Sequence, residues 1–267
     1  MPLITISQDY GSHGYYLAQR IAQELNLELH DDETLREAAV RQGVKKENLD
    51  AMKERVPGFF DQYMGSYLDV LQMVVYQVSS DNNGVVVGHG GQVLLRDFAC
   101  ALHIRIVTPA EKRVQYFIEE KGFEEEQARK IVRTKDEEAR DFFRYAFKMD
   151  INDPLLYDLV INTDKISIET AISHIIKLAQ SNDIAKCNIG ALAIMKCRAL
   201  QMKIHAMLRQ RGIITTGIKI EVDEPGKVHV HGVVNNQAER QKIVNALDTI
   251  SELKDAKVNI YVAPPHG

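Results

Sequence analysis

Residues 3–25 read LITISQDYGSHGYYLAQRIAQEL, and three patterns follow one another in that stretch. Leu3–Ser7 is a short run of β-forming residues. Tyr10-Gly11-Ser12-His13-Gly14 is rich in turn formers. Leu17, Ala18, Ile21, Ala22 and Leu25 then recur at helical spacing. The segment therefore predicts a strand, a glycine turn and an amphipathic helix. A glycine turn feeding a helix presents free backbone N–H groups and the positive end of the helix dipole, which suits an anion. Gly11, Ser12, His13 and Gly14 are the candidate phosphate cradle, with Tyr15 and Tyr16 opening the helix behind it. The complete phosphate-loop pattern GxxxxGK[ST] is absent, because Tyr15 stands where a basic side chain would follow Gly14. A plain strand-to-helix turn fits the same residues.

Working outward, strands and helices alternate. Leu27–His30 reads as a second strand, and residues 33–80 as mainly helical, broken near Pro57-Gly58. Val85-Val86-Val87 is a third strand, apolar throughout and so expected at the sheet centre. Leu102–Val107 is a fourth. Thr108-Pro109-Ala110-Glu111 has a capping-box pattern with proline at the first helical position, starting a helix to about Glu120. Helix is expected again over 124–147, strand over Leu159–Asn162 and helix over Ile168–Ala179. Strands separated by helices imply right-handed crossovers and a parallel, doubly wound α/β sheet.

The rhythm changes after Ser181-Asn182-Asp183. Ala199–Arg211 reads as an amphipathic helix. Ile218–Val222 and Lys227–Val234 read as strands around a Glu224-Pro225-Gly226 turn, followed by a helix over Gln237–Leu247 and a strand over Ala256–Val262. That order predicts a second, small α+β domain. The expected domains are 1–182 and 195–267. From Met195 onward there are 11 Lys and Arg against 7 Asp and Glu, so the two parts differ in charge sign.

Composition narrows the function. The chain has 267 residues, 45% apolar and 26% charged, with a net charge of −4. This is ordinary globular composition, and it argues against disorder and against a nucleic-acid binder working by bulk positive charge. Cys100, Cys187 and Cys197 lack a CxxC spacing, so reduced structural thiols are expected and metal ligation is not. No apolar run approaches the ~18 residues of a membrane span. The N-terminus has no basic stretch followed by an apolar one, and the cytoplasm is the expected compartment.

Three further clusters bear on chemistry. Gly88-His89-Gly90-Gly91 follows the third strand, and ligands of open parallel sheets bind beyond the carboxyl ends of central strands. A tight turn explains the same glycines. Arg129, Lys130, Arg133, Lys135, Arg140, Arg144 and Lys148 form a basic helical stretch, with Arg133 and Arg140 near one face and Arg144 one turn on. Arginine binds phosphoryl oxygens bidentately, as phosphoryl transfer requires; a solvated face paired with Asp136, Glu137 and Glu138 is the alternative. A carboxylate of His30-Asp31-Asp32-Glu33 either holds magnesium through water or binds a sugar hydroxyl, and a cap on the next helix by Asp31 or Asp32 is the alternative.

Taken together, these pieces resemble the cytidylate kinase-like family of phosphate-loop kinases. The resemblance rests on Ile4–Ser7 with Gly11–Gly14, on Leu29-His30-Asp31, on Val85–Gly91, which is similar to the family's strand and Gly-Arg-Gly turn, and on Asp153-Pro154 with Tyr157–Thr163. It covers about 1–180. It implies a nucleoside monophosphate kinase fold using ATP and Mg2+, with Gly11–Tyr16 at the nucleotide. It also implies an arginine-bearing lid at about 129–148 and an acceptor-binding helical insert at about 33–80. Arg133, Arg140, Arg144 and Asp31 would then be catalytic. Arg36, Gly88, His89 and Gly90 would meet the acceptor. Three departures stand out: Tyr15 replaces a basic residue, His89 replaces an arginine, and no acidic residue ends the third strand. An ATP-dependent kinase acting on a nucleoside monophosphate or related small acceptor is one expectation. A catalytically degenerate nucleotide-binding regulator is the other.

Residues 199–264 resemble a BON domain, on Ile218–Val222, Val228–Val234, the helix from Gln237 and Lys257–Val262. That implies a small ligand, a membrane surface or a protein partner at this domain. His229 and His231 alternate with valines and share a strand face. No nucleic acid is expected as a partner, and a homo-oligomer is a further candidate assembly.

Overall fold

A computed structural model describes residues 3–42, 44–47, 62–81, 84–184, 188–213 and 215–263. The chain divides into two compact units. Unit 1 is Met1–Thr34 with Asn82–Cys187, and unit 2 is Leu35–Asp81 with Asn188–Gly267.

Unit 1 holds five parallel strands: β1 (Leu3–Gln8), β2 (Glu28–His30), β3 (Gly84–Val87), β4 (Ala101–Val107) and β5 (Leu159–Asn162), in the order β2-β3-β1-β4-β5. The α/β expectation holds, and β1 rather than the apolar β3 lies at the centre. Strand β1 pairs with β3 through Ile4↔Val85 and with β4 through Ile4↔Leu102. Helix α1 (Gly14–Leu25) buries Leu17, Ile21 and Leu25 against Ile4, Ile6 and Ile104 of the sheet. The last helix of this unit, Ile168–Ala179, adds Ile172 and Ile175 to the same core.

The other face of β1 and β4 is polar. Thr5 lies opposite His103 and Ser7 opposite Arg105. The Thr5 hydroxyl and His103 Nδ1 are 2.8 Å apart in the interior, and burial pushes the His103 imidazole below its ordinary pKa. Two residues on, Arg105 donates to Ser7 Oγ at 2.9 Å and to Asp9 Oδ1 at 2.6 Å. This polar row runs along the sheet toward the glycine loop.

Between the strands lie α2 (Asp32–Arg41), α3 (Gln62–Asp81), α4 (Gly91–Leu94), α5 (Ala110–Lys121) and α6 (Glu125–Phe147), and α7 is the Ile168–Ala179 helix. The capping box expected at Thr108 does not form. Pro109 is the cap of α5 without a side-chain bond, and the Thr108 hydroxyl instead meets that of Thr163 at 2.6 Å. Cys100 is disulfide-bonded, against the expectation of reduced thiols, while Cys197 is a buried free thiol. The expected helix break at Pro57-Gly58 lies outside the described residues.

Unit 2 joins the inserted helix to the C-terminal segment. Helix α3 packs along α8 (Ile189–Gln210), which starts ten residues before the expected Ala199, because the Asn188 side chain accepts a bond from Ala191 N–H and caps it there. Strands β6 (Ile218–Glu224), β7 (Lys227–Val234) and β8 (Asp255–Val262) form a mixed sheet, β6 antiparallel and β8 parallel to β7. Helix α9 (Gln237–Leu247) makes the crossover, burying Ile243 and Leu247 against Ile220, Val230 and Ile260. The segment 33–80, expected as part of the kinase-like body, thus belongs largely to the second compact unit. Among the described residues, no helix is long and apolar enough to cross a membrane.

One ion pair fastens α3 to α8. Asp69 is buried, and Arg209 Nε lies 2.7 Å from its Oδ2. Desolvation outweighs the attraction of Arg209 and lifts the Asp69 carboxyl to about 6. The native state therefore holds this proton where the unfolded chain, near 4, has lost it. The associated stabilisation is complete below the unfolded pKa and disappears as pH rises through about 6. Urea unfolding should show wild type losing about 1 kcal/mol relative to Asp69→Asn between pH 5 and pH 7.5. A stability difference independent of pH would contradict this assignment.

Candidate functional site

The loop after β1 is set by backbone geometry. Gly11 has φ +88°, and His13, the N-cap of α1, has φ +62°. A Cβ on Gly11 would come within 2.8 Å of the Phe117 ring, so both conformation and space demand glycine there. Tyr10 stacks on Phe117 with centroids 5.4 Å apart, and the His13 ring meets Tyr116 edge-on at 4.5 Å. Helix α5 thus supports the loop from outside the sheet.

Asp9 anchors the loop from below. Its carboxylate takes the Arg105 guanidinium on Oδ1 and the Thr108 N–H, at 3.3 Å, on Oδ2. Its carbonyl accepts the Ser12 N–H at 3.1 Å. Ser12 is fully buried, and among the described residues its hydroxyl has no hydrogen-bond partner. A buried hydroxyl left unmatched costs about 1–3 kcal/mol, so such a group calls for a bound partner. The first N–H groups of α1 also have no intrahelical acceptors. The loop therefore carries an unmatched buried hydroxyl together with the free N–H groups at the start of α1.

The turn after β3 emerges beside it. Gly88, His89 and Gly90 have φ values of +75°, +56° and +71°. Gly88 N–H donates to Ile6 C=O at 2.9 Å, which ties the turn to the end of β1. The two glycine loops are neighbours. Phe147, at the end of α6, lies over Gly90 so closely that a Cβ there would be 2.2 Å from the ring.

The two departures from the family pattern share one feature. Tyr15 donates its hydroxyl to Asp31 Oδ2 at 2.8 Å, and His89 Nε2 lies 2.6 Å from Asp32 Oδ1. Each replacement thus meets one of two consecutive aspartates. The bond to Asp31 raises the Tyr15 phenol above its ordinary pKa. Burial alone would raise Asp31, but bonds from Thr34 N–H, the Tyr15 hydroxyl and the Thr34 hydroxyl hold it below the usual carboxylate range. Asp31 Oδ1 accepts from Thr34 N–H at 3.0 Å while Thr34 Oγ1 accepts from Asp31 N–H at 2.7 Å, so Asp31 caps the start of α2.

The basic stretch is one continuous helix, α6. Arg133, Arg140 and Arg144 are all exposed along it. Among the described residues Arg133 and Arg140 have no ion-pair partner, and Arg144 lies 3.9 Å from Asp141. Asp136, expected as a partner for this basic face, instead receives both terminal nitrogens of Arg113 at 2.8 and 2.9 Å. Arg113 is buried and also donates to the carbonyls of Thr108 and Tyr10. It links the arginine-bearing helix to the glycine loop. Arg36, on α2, falls in unit 2 and is the one expected site residue outside unit 1.

Sequence reasoning missed Asp9, Arg105, Arg113 and Phe147. A signal for Arg105 was present, since His103 and Arg105 interrupt an otherwise apolar strand on a single face. Among the described residues no group of three or more His, Cys, Asp or Glu forms a metal cage. The carboxylates near the loops, Asp9, Asp31 and Asp32, are each engaged by protein groups.

A central parallel strand that enters a helix through a glycine loop, in the order β2-β3-β1-β4-β5, defines a phosphate-loop kinase fold. The cytidylate kinase-like family profile matches residues 3–165, and the chain belongs to that family. A cytidylate kinase of Pyrobaculum islandicum is 28% identical over 174 residues, covering 64% of this chain and 89% of its own. A crystal structure of an uncharacterized Eubacterium ventriosum protein superimposes with a TM-score of 0.55 at 20% identity, over 68% of this chain and 99% of that one.

These roles separate in stability measurements. Asp9→Ala strands the buried Arg105 charge and should lower the unfolding free energy by about 3 kcal/mol. Arg133→Ala, at an exposed position, should change it by less than about 0.5 kcal/mol. Urea denaturation of both variants checks the pair, and comparable losses would show Arg133 to be structural.

Proposed function

We propose that unit 1 transfers the γ-phosphoryl group of ATP to a nucleoside monophosphate, with cytidine monophosphate as the leading acceptor. The observation that carries this reading is the buried, unpartnered Ser12 hydroxyl inside a left-handed glycine loop at the end of the central strand. The family membership and the 28% identical cytidylate kinase support the choice of acceptor.

In this reading Gly11–Gly14 hold the phosphates of ATP through backbone N–H groups, with the Ser12 hydroxyl donating and Tyr15 and Tyr16 opening the helix behind them. ATP supplies the phosphoryl group, and Mg2+ neutralises its phosphates. Arg133, Arg140 and Arg144 close on the transferring group. Catalysis of this transfer is almost wholly positioning and charge stabilisation, so exposed arginines on an anchored helix are suited to it. Gly88, His89 and Gly90 border the acceptor side. Asp31 orders the start of α2 and the Tyr15 ring. For unit 2 the BON-like reading is supported by its hairpin, helix and parallel third strand.

The test is ADP formation by the full chain with ATP, Mg2+ and CMP. CMP-dependent ADP release is expected. Arg133→Ala, Arg140→Ala and Arg144→Ala should each lower kcat by about 10²-fold or more where the group contacts the transferring phosphoryl. ADP release no faster with CMP and Mg2+ than without them, from folded protein that binds ATP, would overturn transfer and leave a nucleotide-binding regulator.

A further inference from the structure

Unit 2 contains a cavity of about 320 Å³ among α3, α8, the β6–β7 turn and the segment before β8. Ala199 on α8 and Gly226 line it, with Gly226 in the turn at φ +90°. A Cβ on Gly226 would come within 2.9 Å of the Glu252 carbonyl, so the turn closes against that segment only as glycine. Lys254 N–H donates to Gly226 C=O at 2.8 Å and fixes the closure.

The floor is apolar. Met73, Ala199 and Leu200 are each less than one-tenth exposed. The rim is cationic, with three lysines, Lys196, Lys203 and Lys254, against one carboxylate, Glu252. Lys203 is already engaged by Glu252 and by Gln42 Oε1 at 3.1 Å. Lys196 and Lys254 have no ion-pair partner among the described residues. A cavity of this size with an apolar floor and convergent polar groups matches small-ligand sites. Two uncompensated ammonium groups at its mouth select a negative head, while the floor selects an apolar body.

We infer that this cavity binds a small, soluble amphipathic anion: a phosphate or carboxylate on a short apolar chain, its head between Lys196 and Lys254 and its chain against Met73 and Leu200. The site lies wholly within unit 2 and does not depend on the chemistry proposed for unit 1.

Octyl phosphate serves as the probe, titrated into the full chain with methionine methyl groups labelled for NMR. The Met73 resonance, assigned through Met73→Leu, should shift saturably. Lys196→Ala/Lys254→Ala should weaken that binding at least tenfold, and Lys196→Arg/Lys254→Arg should retain it within about threefold, since charge is kept. Inorganic phosphate should bind at least tenfold more weakly than octyl phosphate, and octylamine should not move Met73. Both lysines are exposed, so these variants leave the core intact. Four results would each overturn the inference: an unmoved Met73 methyl, unchanged affinity in the double alanine variant, equal binding of octylamine or inorganic phosphate, or binding to phosphatidylglycerol vesicles without binding to soluble octyl phosphate.

Discussion

A guanidinium in the sheet interior governs the first unit. Arg105 is 4% exposed, and its charge is met by Asp9 at the exit of β1. Burying such a charge costs several kcal/mol unless it is paired and hydrogen-bonded. Ser7 and Asp9 supply that pairing only when β1 and β4 keep their register. The same carboxylate takes Thr108 N–H, and the Asp9 carbonyl takes Ser12 N–H. One constraint thus sets strand register, the path of the glycine loop and the start of the α5 connection. Arg113 extends it outward, joining Tyr10 and Thr108 to Asp136 on the arginine-bearing helix.

The two residues that depart from the family pattern are integrated in the fold. Tyr15 and His89 lie against Asp31 and Asp32, which are adjacent in sequence at the start of α2. Both side chains hold this acidic corner. The position of α6 depends on the Arg113–Asp136 pair and on Phe147 over Gly90.

Much of the fold was legible because local pattern and global structure agree. Leu159–Asn162 and Ile168–Ala179 end where apolar periodicity ends, and Gly11 and Gly90 occupy left-handed positions close against aromatic rings. The start of α8 was not legible. Residues 189–198 carry a mixed pattern, and its helical state follows from packing against α3 over a hundred residues away. Thr108 has the sequence of a cap, yet its hydroxyl meets Thr163 on the neighbouring strand's exit. Sequence order places 33–80 within the first 182 residues, whereas the packing of α3 along α8 groups Leu35–Asp81 with the C-terminal segment in unit 2. For the site, Gly11–Gly14 and Gly88–Gly90 were readable, whereas Asp9 and Arg113 act through partners far along the chain that spacing does not reveal.

The central claim is that the loop of Gly11 to Gly14 holds phosphate. Glycine-selective 15N labelling tests it directly, since the chain has 16 glycines and Gly11 and Gly14 bracket the loop. On titration with ADP and Mg2+, the Gly11 and Gly14 amides should show the largest shifts, with those of Gly88 and Gly90 next and those of unit 2 unmoved. Amides of Gly11 and Gly14 that stay fixed at millimolar ADP would contradict the account.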